Sequence, residues 1–137
     1  MDAVKFSKAL VLVLLLLAAV ALAQKPAAPK YDTATETTLK GVVDEVKEVP
    51  NSCLGVTGLH LMIKTTDSTV EVQVGPVDFL KEIEVTFAKG DELQIVASKV
   101  TKDGNALLLA REVTQKGNVL VMRDKKGEPV WTWMKKS

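Results

Sequence analysis

Residues 69–91, TVEVQVGPVDFLKEIEVTFAKGD, constrain the fold more than any other stretch of the chain. Val70, Val72 and Val74 alternate with Glu71 and Gln73, the two-residue period of a strand with one buried face. Gly75 then frees the backbone. Pro76 cannot donate to a ladder but suits a first helical turn, where its missing N–H would be unpaired anyway. Asp78 falls in that turn and complements the helix dipole. Phe79, Leu80 and Ile83 have the spacing of one apolar helix face. Two turns are too short to stand alone. The helix is therefore expected to plug one end of a sheet.

Strands are legible on both sides. Residues 38–49 read as a long first strand in which Gly41 marks a bulge or bend, so that one strand serves two sides of a barrel. Pro50 ends it, and PNSCLGVTG is loop. Leu59, Leu61 and Ile63 form the next inward face, with His60, Met62 and Lys64 opposite, and Thr66-Asp67-Ser68-Thr69 turns the chain into the strand above. After the helix, residues 92–100 and 105–114 flank Asp103-Gly104, a two-residue hairpin signal. Gly117-Asn118 turns into a strand over 119–123, and Lys125-Lys126-Gly127 turns into a last one carrying Trp131 and Trp133. The expectation is an all-β chain. Five strands with one short helix between strands 3 and 4 follow the order of the oligonucleotide/oligosaccharide-binding (OB) barrel, here five-to-six-stranded with a C-terminal hairpin. The rival is an open β-sandwich, which needs no helix at that place.

The first part of the chain reads as an address. Lys5 and Lys8 precede an unbroken apolar run over 9–23 ending in Ala21-Leu22-Ala23, the form of a secretory signal peptide cleaved near Ala23. That run is short of the ~20 residues that span a bilayer. The expected organisation is a signal peptide over 1–23, a Pro/Ala/Lys-rich flexible lead over 24–37, a barrel over 38–133 and a tail over 134–137. The location implied is periplasmic or secreted, with no stable membrane span after cleavage. Removing the leader takes Lys5, Lys8 and Asp2, leaving acidic and basic residues equal in number. A protein that neutralises phosphates carries a basic excess, so nucleic acid is disfavoured as a partner. An envelope protein or polymer is expected instead. Cys53 stands alone, which excludes an internal disulfide framework. Its thiol is buried and inert, paired with another chain, or free.

The phrases GLHLMIKT, VEVQVGPVDFL, KGDELQIVASKV, ALLLAREV and VLVMRDKKGEPVW, over residues 39–131, resemble the extracytoplasmic OB-like domain shared by the magnetosome proteins MamS and MamX. More loosely, the chain resembles small periplasmic stress-tolerance OB-fold proteins. The resemblance implies an exported OB-like module. Haem attachment in MamX needs Cys-x-x-Cys-His, and a chain with one Cys and one His lacks it, so no covalent haem and no other cofactor is expected.

Two constellations stand out. Arg111, Arg123, Lys125, Lys126, Trp131 and Trp133 gather arginine and aromatic rings that can stack on sugars, bases or peptide, with the two tryptophans at i,i+2 as a platform. The alternative is that they cover the barrel's open end, with Arg123 paired to Asp124 or Glu128. Cys53, His60 and Met62 form a soft-metal set of the kind copper(I) prefers, against a surface His and a packed Met. Asp44, Glu45 and Glu48 read as a solvated strand face. No Walker loop, dinucleotide fingerprint or calcium loop is present. The reading is a non-enzymatic module whose ligand surface is the Arg/Trp group.

Overall fold

The computed structural model describes residues 29–50 and 52–131. The expected signal peptide, residues 24–28 of the expected lead, Trp133 and the tail lie outside the described residues. A 3-10 turn (Thr33–Thr35) leads into β1 (Glu36–Val49), β2 (Gly58–Lys64), β3 (Thr69–Pro76), a helix α1 (Val77–Glu82), β4 (Glu92–Lys102), β5 (Asn105–Gln115) and β6 (Asn118–Val121).

One long strand and one short parallel contact close the sheet. From Glu36 to Val42, β1 runs antiparallel to β4, and from Val42 to Val49 it runs antiparallel to β2. The register shifts between Val43 and Glu45, just past Gly41. A Cβ on Gly41 would run into the Ile63 side chain and the Lys64 carbonyl, so glycine is what lets β1 lie this close to β2 while it bends. β2 and β3 pair through the 65–68 turn, where the Thr65 N–H donates to the Ser68 carbonyl at 2.8 Å. β4 and β5 pair around Asp103-Gly104, both with positive φ, as a two-residue hairpin turn requires. β3 then meets β5 in parallel, Val72 opposite Leu108 and Gln73 opposite Leu109, and the ring is complete. β6 adds to β5 beyond that junction. This is the expected barrel, and the sandwich is excluded.

The core follows the two-residue period. Val43, Leu61, Ile63, Val72, Val74, Leu93, Ile95, Ala97, Leu108, Ala110 and Val113 point inward and are buried. Each large aliphatic among them is worth ~1.5–3 kcal/mol of burial. The six-residue α1 has no side-chain cap. It is held by burying Val77, Phe79 and Leu80, and the Val77 N–H donates to the Thr57 carbonyl of the β1–β2 loop at 3.0 Å. It closes one end of the barrel.

Two boundaries and one burial differ from expectation. β1 begins at Glu36, because Thr35 and Asp32 anchor the preceding turn onto β4. His60, expected on the surface, is buried at 3% exposure. The last hairpin shrinks to a single bridge, Arg123 opposite Pro129, because a proline cannot donate to a ladder. Trp131 consequently sits in a turn, not on a strand.

Candidate binding surface

The outer wall of the barrel has a covered half and an open half. The covered half is the β3–β5 seam. A Cβ on Gly75 would collide with Met122 Cε and come 3.4 Å from the Trp131 ring, so the absent side chain makes room for both. Trp131 is 4% exposed and packs on Phe79 with centroids 6.3 Å apart. Arg123 is 9% exposed, with its guanidinium 5.5 Å from the Tyr31 centroid and 5.1 Å from that of Trp131. Its Nη1 donates to the Gly127 carbonyl at 2.9 Å. A desolvated cation between two rings gains ~2 kcal/mol or more. Burial lowers the Arg123 pKa, opposed by Cys53, Tyr31 and Glu128. The acceptor expected for Arg123 was a carboxylate; Asp124 is instead spent capping its own turn, taking the Lys126 and Glu128 N–H groups at 2.9 and 3.0 Å.

The chain's lead joins this clasp. Tyr31 lies flat against Gly127, where a Cβ would enter its ring. The Tyr31 hydroxyl donates to Glu36 Oε1, which also accepts Arg111 Nε at 2.7 Å, and Arg111 reaches Glu112 at 3.2 Å. Burial, then the bond to Glu36, pushes the Tyr31 hydroxyl from its ordinary 10.0 up to about 12. The bond from Tyr31, then that from Arg111, lowers the Glu36 carboxyl; the bond to Glu36 raises Arg111. Asp32 N–H donates to Ser98 Oγ and Thr35 Oγ1 to the Lys99 carbonyl, both at 2.9 Å.

The expected Arg/Trp platform is therefore corrected. Arg123 and Trp131 are brought together, but they face each other and Tyr31, not solvent. Arg111 is bound to two glutamates, Lys125 is exposed, and Trp133 lies outside the described residues. The sequence carries the signal for closure in Gly75 and Gly127, whose missing side chains the rings occupy.

On the open half, β2 and β3 present His60, Met62 and Lys64 beside Glu71, with the β4–β5 hairpin alongside. His60 Nδ1 is 2.6 Å from Glu71 Oε2. An ionised carboxylate only accepts, so Nδ1 donates to Glu71. The ring's Nε2 is buried with no partner among the described residues. A cleft of about 210 Å³ lies here, between Val49, His60, Glu71, Lys102, Asp103 and Asn105. It is smaller than the ~300–1,000 Å³ of small-molecule pockets and suits one sugar ring or side chain. A wider groove of about 600 Å³ at Lys40, Val42, Lys64 and Leu93 is the dent left where β1 bends from β4 to β2.

Cys53 and His60 both approach Gln73. Cys53 Sγ donates to Gln73 Oε1 at 2.7 Å, and His60 stands opposite Gln73 in the ladder, but no bond joins thiol to imidazole. Met62 sits opposite Glu71. Among the described residues no three of His, Cys, Asp or Glu converge as a metal site. None of the described helices is long and apolar enough to cross a membrane.

A closed five-stranded barrel in the ring order β1-β2-β3-β5-β4, with its helix after β3, defines the OB class. Within that class the chain belongs to the MamS/MamX magnetosome protein family, whose profile matches residues 35–120. Tyr31, Arg123 and Trp131 fall outside the matched span. Comparison with curated proteins returns no match. Among solved structures the chain is similar to a crystal structure of the mitochondrial single-stranded DNA-binding protein Rim1 from S. cerevisiae. The TM-score is 0.47 at 14% identity, covering 66% of this chain and 100% of that one. A selenomethionine form of that protein gives 0.46 at 13% identity, covering 68% and 98%. The fold assignment rests on strand order, not on these scores.

Proposed function

We propose that this protein is an exported, non-enzymatic binding module of the cell envelope, and that its ligand lies along the open β2–β3 wall. The observation that carries the reading is the His60–Glu71 pair: a buried imidazole oriented by a carboxylate, with its second nitrogen unpaired beside a shallow cleft. A buried unpaired polar atom costs ~1–3 kcal/mol, which a hydrogen bond from a ligand hydroxyl or amide, able to donate or accept, would offset. A cleft of this size supports a subsite along a track, not an enclosed reaction chamber. The β2–β3 wall with the neighbouring loops is also where OB barrels hold extended polymers. The even charge balance favours a protein or uncharged envelope polymer over nucleic acid.

The test is crosslinking and capture from envelope extracts, comparing wild type with a Glu71→Lys/Asp103→Lys variant whose fold is checked by circular dichroism. Capture of one partner by wild type and its loss in the variant is the expected result. Equal capture by both moves the site off this wall. Salt-sensitive binding of a single-stranded oligonucleotide, in place of either, would make the module a nucleic-acid binder.

A further inference from the structure

We propose that two copies of this chain pair through the free edge of β6. The phase of the β5–β6 ladder decides which groups are free. Gln115 and Asn118 close the two-residue Lys116-Gly117 turn, and Met122 N–H donates to the Arg111 carbonyl at 2.8 Å. Bonded and non-bonded pairs alternate in an antiparallel ladder. Asn118, Leu120 and Met122 therefore turn their backbone groups to β5, while Val119 and Val121 turn theirs away. Among the described residues no other strand pairs with that side. Val119 is 57% and Val121 45% exposed. Strand edges are ordinarily blunted by brevity, lysine, proline or a bulge; β6 is four residues long and ends where the Met122 and Arg123 N–H groups share the Arg111 carbonyl, but Asn-Val-Leu-Val itself carries neither lysine nor proline.

A second copy fits this edge in one register. Set antiparallel about a twofold axis through Leu120, Val119 of each copy stands opposite Val121 of the other, and both are residues with outward backbone groups. Four main-chain hydrogen bonds result, and the four valines share one face. On the opposite face the two Leu120 side chains meet above a groove of about 440 Å³ floored by Val85, Phe87 and Val113. Extended beyond the strand, the same register brings Lys116, exposed in the turn before β6, toward Asp124 beyond its end in the other copy, twice by symmetry. A parallel arrangement would set like charges together. The edge is short, so the association is weak and concentration-dependent.

The test is sedimentation equilibrium of the full chain, purified as its own cells deliver it, from low micromolar to about 1 mM. The expected result is a monomer passing to a dimer as concentration rises. Val119→Lys/Val121→Lys should remove the dimer while leaving the circular dichroism spectrum unchanged. Lys116→Asp, at a position whose positive φ (51°) an aspartate tolerates, should weaken association by roughly tenfold at low salt and much less at high salt. A chain that stays monomeric throughout overturns the proposal, as does a dimer that the double lysine variant leaves intact. Should the chain stay monomeric yet bind a synthetic peptide of residues 118–124, the edge takes strands from other proteins and the twofold pair is wrong.

Discussion

The two halves of the outer wall are made from the same strands and put to opposite uses. Along the β3–β5 seam, glycine, methionine, tryptophan, arginine and tyrosine interlock until the surface is a second layer of core. Along β2 and the near side of β3, polar side chains stay partly open and one buried nitrogen is left unpaired. The contrast teaches that arginine and tryptophan in a basic C-terminal stretch are not by themselves a ligand platform. In this chain they satisfy one another, and the weaker-looking histidine is the group that is not satisfied.

If that division is correct, substitutions on the covered half should move stability and those on the open half should move binding. The largest effect is expected from Trp131→Ala, a loss of about 3–5 kcal/mol in urea unfolding, as for other buried tryptophans. An Arg123→Ala/Trp131→Ala variant would accordingly report on folding and would be uninformative about ligands. Gly127→Ala should cost about 1–3 kcal/mol, because its φ of 89° and the Tyr31 ring both oppose a side chain. Tyr31→Phe should cost about 1 kcal/mol for the lost hydrogen bond to Glu36.

The same residue gives a pH test. A hydroxyl raised from 10.0 to about 12 contributes stability that is present below pH 10 and lost as pH climbs through about 12. Ultraviolet titration of wild type should show the tyrosinate forming near 12, and Tyr31→Phe should abolish that step. Glu36 behaves oppositely: its lowered carboxyl stabilises above the ordinary glutamate range, and the contribution disappears as pH falls through its depressed value. The smallest change in stability is expected on the open half. His60→Leu should be close to neutral, since removing an unpaired buried nitrogen offsets the lost bond to the partly exposed Glu71, yet it should weaken capture of the proposed partner. A loss of several kcal/mol instead would make His60 a structural residue and erase the contrast.

The barrel was legible because its signals are local. Val70-Val72-Val74, the Gly-Pro break, the Phe79-Leu80 face and Asp103-Gly104 each name their element without outside help. Gly41 pointed to the bend that lets β1 serve both β4 and β2. The binding surface was not legible, because burial on the outer wall depends on segments distant in sequence. His60 alternates with Leu61 as a surface residue would, and only the neighbouring loop and hairpin bury it. The clasp needs Tyr31, some ninety residues before its partner Arg123, and no period in either segment announces the other. The family match, which spans 35–120, likewise stops short of both.

The Arg123 stack also has a mechanical consequence. Tyr31 and Trp131, near the two ends of the described chain, both lie against one guanidinium. A force applied between the ends would meet that contact first, before any load reached the strands of the barrel. Prying Trp131 away would also unseat it from Phe79 of α1, so the clasp and the helix that closes the barrel would yield together.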